Sequence, residues 1–309
     1  MPDVHFPIYT NQSSRLASSS GVSIREDIAY TNAKGDDKGG IRKRAEKAIE
    51  KLQEPLRRIL EPGEAIFCVA RGQLPVSPLE QFFLGWIASA TDQGMLVLTN
   101  RRLLFILVSG NGSWKRSVRS VSLGDIEKVD VKTFLGAKIE IRYRNGRKES
   151  YWRLRGDDAK RMKVILSLLL EAATSERSPA EGRVHLCPQC NAILNEGNYQ
   201  CAKCNMEFKT EKMMVRRAWI FPGAAYYYAG HPGLAVMDFL IEALFLISVV
   251  FWAMVAMGLT QPDTAPGETP ITGGGAWVVV AILLAFLMGK KLLIIRHCRR
   301  FIQEFVPVK

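Results

Sequence analysis

Hydrophobic residues recur at two different spacings in the first half of this chain, and the change of spacing separates its predicted elements. Over residues 41–60 they fall three or four positions apart, which places them on one face of an amphipathic helix. Pro55 is expected to kink this helix or to start a new turn. From residue 64 to residue 155 hydrophobic and polar residues alternate, which predicts β-strands. Seven such runs occur, at residues 66–70, 95–99, 103–108, 117–122, 126–134, 138–143 and 149–154.

Local sequence signals predict the last turn, the closing helix and the character of two further segments. Asn145 and Gly146 separate the last two strands and predict a type I′ hairpin turn. Asp157 is a suitable N-cap for a closing helix over residues 158–173. Residues 1–40 carry few apolar residues among serine, asparagine, glycine and mixed charges, so this region is predicted to be disordered. Residues 75–94 form a short, very apolar helix in this interpretation, which either packs on the strands or dips into a membrane.

Two long apolar runs follow, at residues 233–259 and 275–295, with a connection at residues 260–274 rich in proline, glycine and threonine. A helix rises about 1.5 Å per residue, so about 20 residues cross a hydrocarbon core about 30 Å thick. The second run is long enough if Lys290 and Lys291 extend their charges toward the interface. The pattern predicts a transmembrane helical hairpin. The alternative, a buried hairpin of a soluble protein, seldom runs this long without polar residues.

The distribution of basic residues gives the hairpin a direction. The chain has 42 lysines and arginines, and none lies between Arg217 and Lys290. Basic residues flank both outer ends of the hairpin, whereas the connection carries only Asp263 and Glu268. The positive-inside bias predicts that both flanks, and with them both termini and the preceding domains, lie in the cytoplasm of a bacterium and that the hairpin spans its inner membrane. The polar N-terminus has no signal-peptide pattern.

The first apolar run contains two carboxylates. Asp238 and Glu242 are four positions apart and therefore share one helix face. In an antiparallel hairpin Glu242 falls near the depth of Lys291, with Lys290 adjacent. Two interpretations follow: an ion pair that neutralises Lys290 and Lys291, or an ion or proton relay. We favour the ion pair, because a hairpin alone encloses no water-filled pathway.

Four cysteines upstream of the hairpin have the spacing of a metal site. Two Cys-x-x-Cys pairs, Cys187 with Cys190 and Cys201 with Cys204, are separated by residues 191–200. Four thiolates are a usual ligand set for tetrahedral Zn²⁺, and the segment resembles a bacterial zinc ribbon. Because all four positions are filled by protein, the zinc is expected to be structural. Disulfides are disfavoured in a reducing cytoplasm, and a thioredoxin-like redox site needs only one such pair.

The remaining histidines and cysteines suggest no further chemistry. Cys68 and Cys298 are predicted to be buried apolar residues, and His185 is expected to be exposed to solvent rather than to bind the metal. The sequence shows no Ser/His/acid or Cys/His arrangement and no Gly-rich phosphate loop, and its four histidines are far apart. We therefore predict that the protein is not an enzyme.

Three short motifs carry a family resemblance. They are Leu-Glu-Pro-Gly-Glu at residues 60–64, Val-Leu-Thr-Asn-Arg-Arg-Leu at residues 97–103 and Ser-Leu-Gly-Asp-Ile at residues 122–126. This region resembles the bacterial PH-like and GRAM-like families, which implies a PH-like β-barrel with a closing helix. Residues 221–233, with Pro-Gly-Ala-Ala followed by three tyrosines, resemble the opening of the TM2 family, which implies a two-span hairpin. The expected fold class is therefore a multi-domain α+β membrane protein.

These expectations divide the chain into nine segments. They are a disordered region at 1–40, a PH-like domain with its N-terminal helix at 41–175, a linker at 176–184, the zinc ribbon at 185–210, an interfacial segment at 211–232, the first transmembrane helix at 233–259, an external loop at 260–274, the second transmembrane helix at 275–295 and a cytoplasmic tail at 296–309.

Net charge suggests the partners. The chain has a formal net charge of +12, and two hairpins of the PH-like domain are rich in cations. The candidate residues for binding anionic lipid or another polyanion are Lys115, Arg116, Arg119, Arg142, Arg144, Arg147 and Lys148. Basic residues near an anionic leaflet are attracted to it, and nucleic acid is the competing polyanion. The leading hypothesis is an inner-membrane adaptor or sensor with an unknown protein partner or anionic lipids as ligand. The alternatives are a membrane-tethered nucleic-acid-binding protein and an accessory subunit of a transport assembly.

Overall fold

A computed structural model describes residues 16–19, 21–76, 93–133, 136–172, 182–260 and 273–308. The chain divides into two compact units. The first unit contains residues 1–208 and 304–309, and the second contains residues 209–303. Each unit is described by itself below.

The first unit is built from β-strands with helices on both faces. In chain order its described elements are β1 Leu16–Ser19, β2 Val22–Arg25, α1 Glu26–Ala29, α2 Gly39–Lys51, α3 Gln53–Ile59, β3 Ile66–Gln73, β4 Gln93–Thr99, β5 Arg102–Val108, β6 Trp114–Ser122, β7 Ile126–Lys132, β8 Ala137–Tyr143, β9 Lys148–Leu154, α4 Gly156–Ala172, β10 Arg183–Leu186 and β11 Ile193–Leu194. All seven strands predicted from the alternation are present, as β3 to β9. Pro55 lies in the first turn of α3, so a new helix begins where the sequence predicted a kink or a new turn.

The sheet is open rather than a closed barrel. Its strand order is β11-β10-β6-β5-β4-β3-β9-β8-β7, and β2 adds to β3 in parallel. Strands β6 and β7 follow each other in the chain, yet this order does not make them neighbours. The predicted barrel is therefore wrong in this detail. The free edge of β6 pairs instead with β10, antiparallel, with Arg183 opposite Val121 and Leu186 opposite Val118.

Two hydrophobic cores lie on the two faces of the sheet. Helix α4 covers one face, where Met162, Ile165 and Leu166 are buried with the inward residues of β3 to β9. Helices α2 and α3 cover the other face, where Leu52 and Leu56 pack against residues of β3 to β6. Strands with apolar residues on both faces are expected only where both faces are covered, which explains the nearly continuous burial of β5.

The N-terminal region corrects one prediction. Residues 21–40 are folded, because β2 pairs with β3 and brings Val22 and Ile24 into the core, followed by Ile28 and Tyr30. These few apolar residues are surrounded by polar ones, so composition alone predicted disorder. Residues 1–15 of the same predicted region lie outside the described residues.

Three local predictions also differ from the structure. Only Gly146 has a positive φ (+79°) in the β8–β9 turn, whereas a type I′ turn would need a positive φ at Asn145 as well. Helix α4 begins at Gly156, so Asp157 lies in its first turn rather than at the N-cap. The linker predicted at 176–184 is shorter, because Arg183 and Val184 already belong to β10.

Most of the apolar segment predicted at 75–94, residues 77–92, lies outside the described residues.

The second unit consists of four described helices: α5 Glu211–Ile220, α6 Ala224–Ala229, α7 Pro232–Ala256 and α8 Gly274–Gln303. Thr210 caps α5 by accepting a hydrogen bond from the Met213 amide at 3.3 Å, and Pro232 occupies the first turn of α7. The Phe245 ring stacks on that of Phe286 between the two long helices, with centroids 5.0 Å apart. Helix α8 continues to Gln303, so the first part of the predicted tail at 296–309 is helical.

Helices α7 and α8 are both long and apolar enough to cross a membrane. In their most apolar stretches only 11% and 17% of the residues are buried within the structure. Core helices of soluble proteins are mostly buried, whereas these expose large side chains such as Leu244, Ile247 and Ile282.

Candidate metal centre and charged clusters

The four cysteines lie together at the tips of two knuckle turns. After each Cys-x-x-Cys pair the chain turns through a left-handed asparagine, Asn191 at φ +56° and Asn205 at φ +58°. Each asparagine donates its backbone N–H to the carbonyl of the first cysteine of its pair, over 2.9 Å for both Cys187 and Cys201. Asparagine tolerates this conformation better than most residues, which explains its presence after both pairs.

The thiols face one another closely enough to share one ion. The Sγ atoms of Cys187 and Cys204 are 3.5 Å apart, as are those of Cys190 and Cys201, and all four lie within 4.8 Å of one another. Zn–S bonds of about 2.3 Å place tetrahedral sulfur ligands about 3.8 Å apart. The donor set and its spacing therefore fit a tetrahedral metal ion.

The pKa values of Cys187 and Cys201 differ, because burial and the surrounding backbone amides act on the two thiols to different extents. Burial raises the pKa of Cys187 to about 12, although the N–H groups of Gln189 and Cys190 oppose this shift. Burial also acts to raise the pKa of Cys201, but the N–H groups of Cys204 and Lys203 and the neighbouring thiols lower it to about 7. Because amide donors point at the sulfurs, the turns already provide part of the stabilisation that four bound thiolates need.

The segment that carries the four cysteines pairs directly with the sheet of the first unit. Strand β10 extends the sheet beyond β6, and the buried Cys187 and Cys201 share a small core with Leu194, Phe208 and Phe305. Phe305 follows the second apolar helix in the sequence and packs edge-on against Phe208, with ring centroids 5.6 Å apart.

The segment after α8 is held by backbone pairing as well. Phe208 forms a β-bridge with Pro307, and the Val308 N–H donates to the Glu207 carbonyl over 3.0 Å. The C-terminal residues 304–308 are therefore part of the first unit, and they complete the core of the predicted ribbon. The sequence gives no signal for this, because the pairing joins residues separated by the whole hairpin.

A buried charged cluster surrounds Glu304. Its carboxylate accepts hydrogen bonds from Arg119 Nε at 2.6 Å and from Arg119 Nη2, and it lies 3.6 Å from His185 Nε2. Arg119 also contacts Glu149 at 2.5 Å, and Arg183 reaches the same carboxylate at 3.2 Å. Burial acts to raise the pKa of Glu304, but the charge of Arg119 and the proximity of His185 outweigh it and lower that pKa.

This cluster corrects two predictions. Arg119 was expected on a polyanion-binding surface, but it is 6% exposed and both sides of its guanidinium face carboxylates. His185 was expected in solvent, but it is 4% exposed and its ring lies 5.0 Å from that of Phe305. Cys68 and Cys298 are both buried, as predicted.

The other predicted polyanion-binding residues lie on two hairpins. Lys115 and Arg116 follow the β5–β6 turn, where Arg116 is exposed and has a left-handed φ of +58°. The β8–β9 hairpin carries the remaining four, Arg142, Arg144, Arg147 and Lys148, all exposed. Arg144 Nε donates to the Gly124 carbonyl at 2.7 Å.

The four charged residues predicted within the hairpin come together. Lys290 Nζ lies 2.5 Å from Asp238 Oδ1 and 3.8 Å from Glu242 Oε1, and Lys291 Nζ lies 3.2 Å from Glu242 Oε2. Asp238 is 7% exposed and Glu242 is 2% exposed. Two carboxylates thus face two ammonium groups, and the cluster is formally neutral.

Comparisons with known proteins give a partial likeness. No family model matches the chain, and no curated protein matches it. The Vps36 N-terminal PH domain is similar at 16% identity and a TM-score of 0.28, over 38% of this chain and 86% of that one. The hSac2 domain from the human phosphoinositide phosphatase Sac2 is similar at 16% identity and a TM-score of 0.28, over 43% of this chain and 84% of that one. The C-terminal domain of an unknown protein from Leishmania infantum matches at 16% identity and a TM-score of 0.25, over 42% of this chain and 98% of that one.

Proposed function

We propose that this protein is a membrane-anchored binding module, in which α7 and α8 insert into the bilayer and hold the first unit at its surface. The observation that carries the proposal is the distribution of polarity on the two helices. Their large apolar side chains point outward, as Leu244 at 64% and Ile247 at 67% exposure illustrate. Within their apolar stretches the charged residues Asp238, Glu242, Lys290 and Lys291 pair with one another in one neutral cluster. Outward-facing apolar side chains are stable in contact with hydrocarbon, and charged groups inside a membrane are stable when they pair with one another.

The helices that precede α7 support an interfacial position for that end of the hairpin. Trp219, Phe221 and Tyr227 are exposed on α5, α6 and the turn between them. Arg217 lies over the Tyr228 ring, 4.7 Å from its centroid. Aromatic rings with nearby cations are enriched where a membrane meets water.

We infer the direction of insertion from charge and connectivity together. The hairpin leaves the first unit after residue 208 and returns to it at residue 304, so both of its ends belong on one side of the bilayer. The flanking cations favour the cytoplasmic side, and a bacterial inner membrane fits this arrangement.

We propose zinc as the ion of the four-cysteine site, with a structural role. Its loss should release the knuckles and expose the core around Phe305. The purified chain is expected to contain one zinc per molecule by elemental analysis, and Cys201→Ser should lose it. Cys68→Ala is the matched control, because Cys68 lies outside the cluster, and it should keep the metal. Equal zinc content in Cys201→Ser and the unchanged protein would contradict this assignment.

The working role of the first unit would be to bind a protein partner or anionic lipid, as an adaptor or sensor without enzymatic activity. The burial of Arg119 removes one of the cations on which a broad nucleic-acid surface would depend, so nucleic acid is the weaker candidate. A role as accessory subunit of a transport assembly is the other alternative, and the intramembrane cluster would then contact partner helices.

Purification of the full chain from membranes in mild detergent tests these roles. We expect the chain to resist an alkaline wash of the membranes and to retain a partner protein or anionic lipid through purification. Double-stranded DNA titrated onto the same sample should bind more weakly than the chain binds anionic lipid in nanodiscs. Release by the alkaline wash would contradict membrane anchoring, and tighter binding of DNA would favour the nucleic-acid alternative.

A further inference from the structure

A cavity of about 350 Å³ opens in the first unit between α2 and the seam where β3 meets β9. We call it the α2 cavity. Its volume falls within the range of about 300–1,000 Å³ that small-molecule sites occupy. The floor is apolar, with Ile41, Ala45 and Val69, and the walls are strongly basic. None of the residues predicted from sequence to bind polyanions lines it.

Helix α2 supplies one wall. Its cations Arg44, Lys47 and Lys51 are three and four positions apart, so they form a row on one side of the helix. The Lys51 ammonium donates to the Asn111 carbonyl on the β5–β6 turn, across the mouth of the cavity. Arg71 on β3 donates to the Gly110 carbonyl of the same turn over 2.8 Å. The turn thus fixes two cations at the entrance.

Arg161 on α4 supplies a fixed charge deep in the wall. It is 1% exposed and donates to three backbone carbonyls, those of Ala29 at 3.0 Å, Thr31 at 3.2 Å and Val69 at 3.1 Å. Its orientation is therefore set before any ligand arrives. Carbonyl oxygens satisfy hydrogen bonds, but they do not cancel the charge.

Among the described residues that line the α2 cavity, one carboxylate balances the basic wall. These residues include seven basic side chains and a single acid, Asp158. Asp158 is shared between Arg44 at 3.6 Å and Arg161 at 3.8 Å. The other five cations have no carboxylate within 4.0 Å among the residues that the structure describes. Positive charge confined in a concave, partly apolar site concentrates anions.

A strained backbone conformation directs the Arg153 side chain toward the basic wall of the α2 cavity. It has a left-handed φ of +56°, which non-glycine residues adopt rarely and at a cost. It lies at an irregularity in the β8–β9 pairing, where the register shifts between Ala137 and Ile139. Such bulges redirect side chains and are enriched beside functional sites. Here the redirected guanidinium, with that of Arg155, lines the cavity.

We propose that the α2 cavity binds a small compound that carries several phosphate groups. Phosphate oxygens match the fork of donors on arginine, and a net excess of six cations requires more than one anionic group. The compound is either free in solution or the headgroup of a membrane lipid. Only the second source rests on the proposed membrane anchoring.

The test uses the full chain in nanodiscs of phosphatidylcholine, onto which inositol hexakisphosphate is titrated by calorimetry. We expect one binding event per chain, and Arg153→Gly should weaken it at least about tenfold, because a charge-assisted contact is lost. Glycine adopts a positive φ without strain, so this substitution should leave the fold intact.

Arg116→Gly is the matched control. Arg116 is also an exposed arginine with a left-handed φ, of +58°, but it does not line the α2 cavity. Its substitution removes the same charge and should leave the affinity unchanged. Absence of binding by the unchanged chain, or an equal loss in both variants, would overturn the proposal.

A second titration separates the two sources. The nanodiscs now contain cardiolipin, a bacterial membrane lipid whose headgroup carries two phosphates. A lipid headgroup in the cavity would compete with the soluble probe and weaken its binding, and Arg153→Gly would remove that competition. An unchanged affinity for the probe would identify a soluble ligand. Membrane anchoring is tested separately by the alkaline wash, so the failure of either idea is recognised without the other.

Discussion

Glu64 shows how single side chains fix the turns of the first unit. Its carboxylate accepts a hydrogen bond from Thr99 Oγ1 at 2.7 Å and two from Arg102, at 2.9 and 2.8 Å. Asn100 beside them accepts from the Ala65 N–H at 3.0 Å. These residues belong to the motifs at 60–64 and 97–103 on which the family resemblance depends. The motifs therefore encode a hydrogen-bonded lock between two turns.

This lock makes stability depend on pH. Burial acts to raise the pKa of Glu64, but its hydrogen bonds with Arg102, the Glu61 N–H and Thr99 lower it overall. A carboxylate with a lowered folded pKa contributes stability that is present above its ordinary pKa, about 4.3, and lost as the pH falls through its folded value. Glu64→Gln should therefore cost about 1.5–3 kcal/mol near neutral pH and less below pH ~4, measured by chemical unfolding.

Glu54→Gln is the control, because Glu54 is 69% exposed and pairs with the exposed Arg58 on the surface of α3. Surface ion pairs contribute about 0–1 kcal/mol, so its effect should be small at every pH. A cost for Glu64→Gln that stays constant across this pH range would argue against the lock.

Gly223 is a second position where one atom decides the local structure. It has a φ of +73°, and a Cβ there would lie 2.2 Å from the backbone oxygen of Ala235. Neither the strained φ nor a backbone clash can be relieved by moving a side chain. Gly223→Ala is expected to lower the thermal stability of the second unit in detergent by more than the ~1 kcal/mol typical of a point mutation.

Gly289→Ala provides the comparison for this prediction. Gly289 lies inside α8, and nothing stands within 4 Å of its added Cβ. Alanine favours helix over glycine by about 1 kcal/mol, so this variant should be as stable as the unchanged protein or slightly more stable. Equal behaviour of the two variants would show that the close approach at Gly223 is unimportant.

At the scale of elements, α7 and α8 depend on their charged cluster. Glu242→Gln leaves Lys291 without its nearest carboxylate, at present 3.2 Å away. Breaking a buried pair on one side costs about 3–5 kcal/mol, whereas replacing both partners by neutral groups is often tolerated. We expect Glu242→Gln to reduce the thermal stability of the detergent-solubilised chain, and Glu242→Gln with Lys291→Met to restore much of it.

The relay interpretation of the same cluster predicts a different pattern. Under a relay, Glu242→Gln would leave stability unchanged, and the double substitution would restore nothing. The comparison of the two variants therefore separates a structural pair from an ion or proton pathway.

The elements themselves were largely predictable from the sequence, because alternation and apolar length are local properties. β3 to β9, α4 and the two long helices follow from them. β2 was not predictable, because its few apolar residues gain their burial only by pairing with β3. The openness of the sheet was hidden for a similar reason, since the strand that covers the edge of β6 comes from the cysteine segment.

The candidate sites were predictable only where short-range sequence spacing or simple helix geometry brings their residues together. The spacing of the cysteines and the depth of Glu242 and Lys291 are set by short-range geometry, and the structure brings these residues together. Arg119 was misassigned because its partner Glu304 lies at the far end of the chain. The α2 cavity collects its cations from α2, β3, β9 and α4, so no sequence window contains it.

For the whole molecule, the proposed insertion predicts which surfaces a reagent can reach. Thr264→Cys, in the connection between the apolar helices, should react with a membrane-impermeant maleimide in intact bacteria. Glu196→Cys, whose side chain is 81% exposed, should react only after the membrane is permeabilised, because the first unit is proposed to face the cytoplasm. Labelling is read from the mass shift of the purified chain.

The unchanged protein controls for its own thiols, of which Cys68, Cys187, Cys201 and Cys298 are buried. Reaction of Glu196→Cys in intact cells would reverse the proposed direction. Reaction of both variants without permeabilisation would argue that the helices do not span the membrane.

The pairing of residues 304–308 with the cysteine segment has a consequence for biosynthesis. A ribosome completes the cysteines long before Phe305 and Glu304, and both apolar helices are synthesised in between. Until then the nascent first unit lacks an aromatic side chain of its small core and leaves Arg119 without one of its two carboxylates. The small core around the cysteines is therefore completed only after the hairpin has been translated.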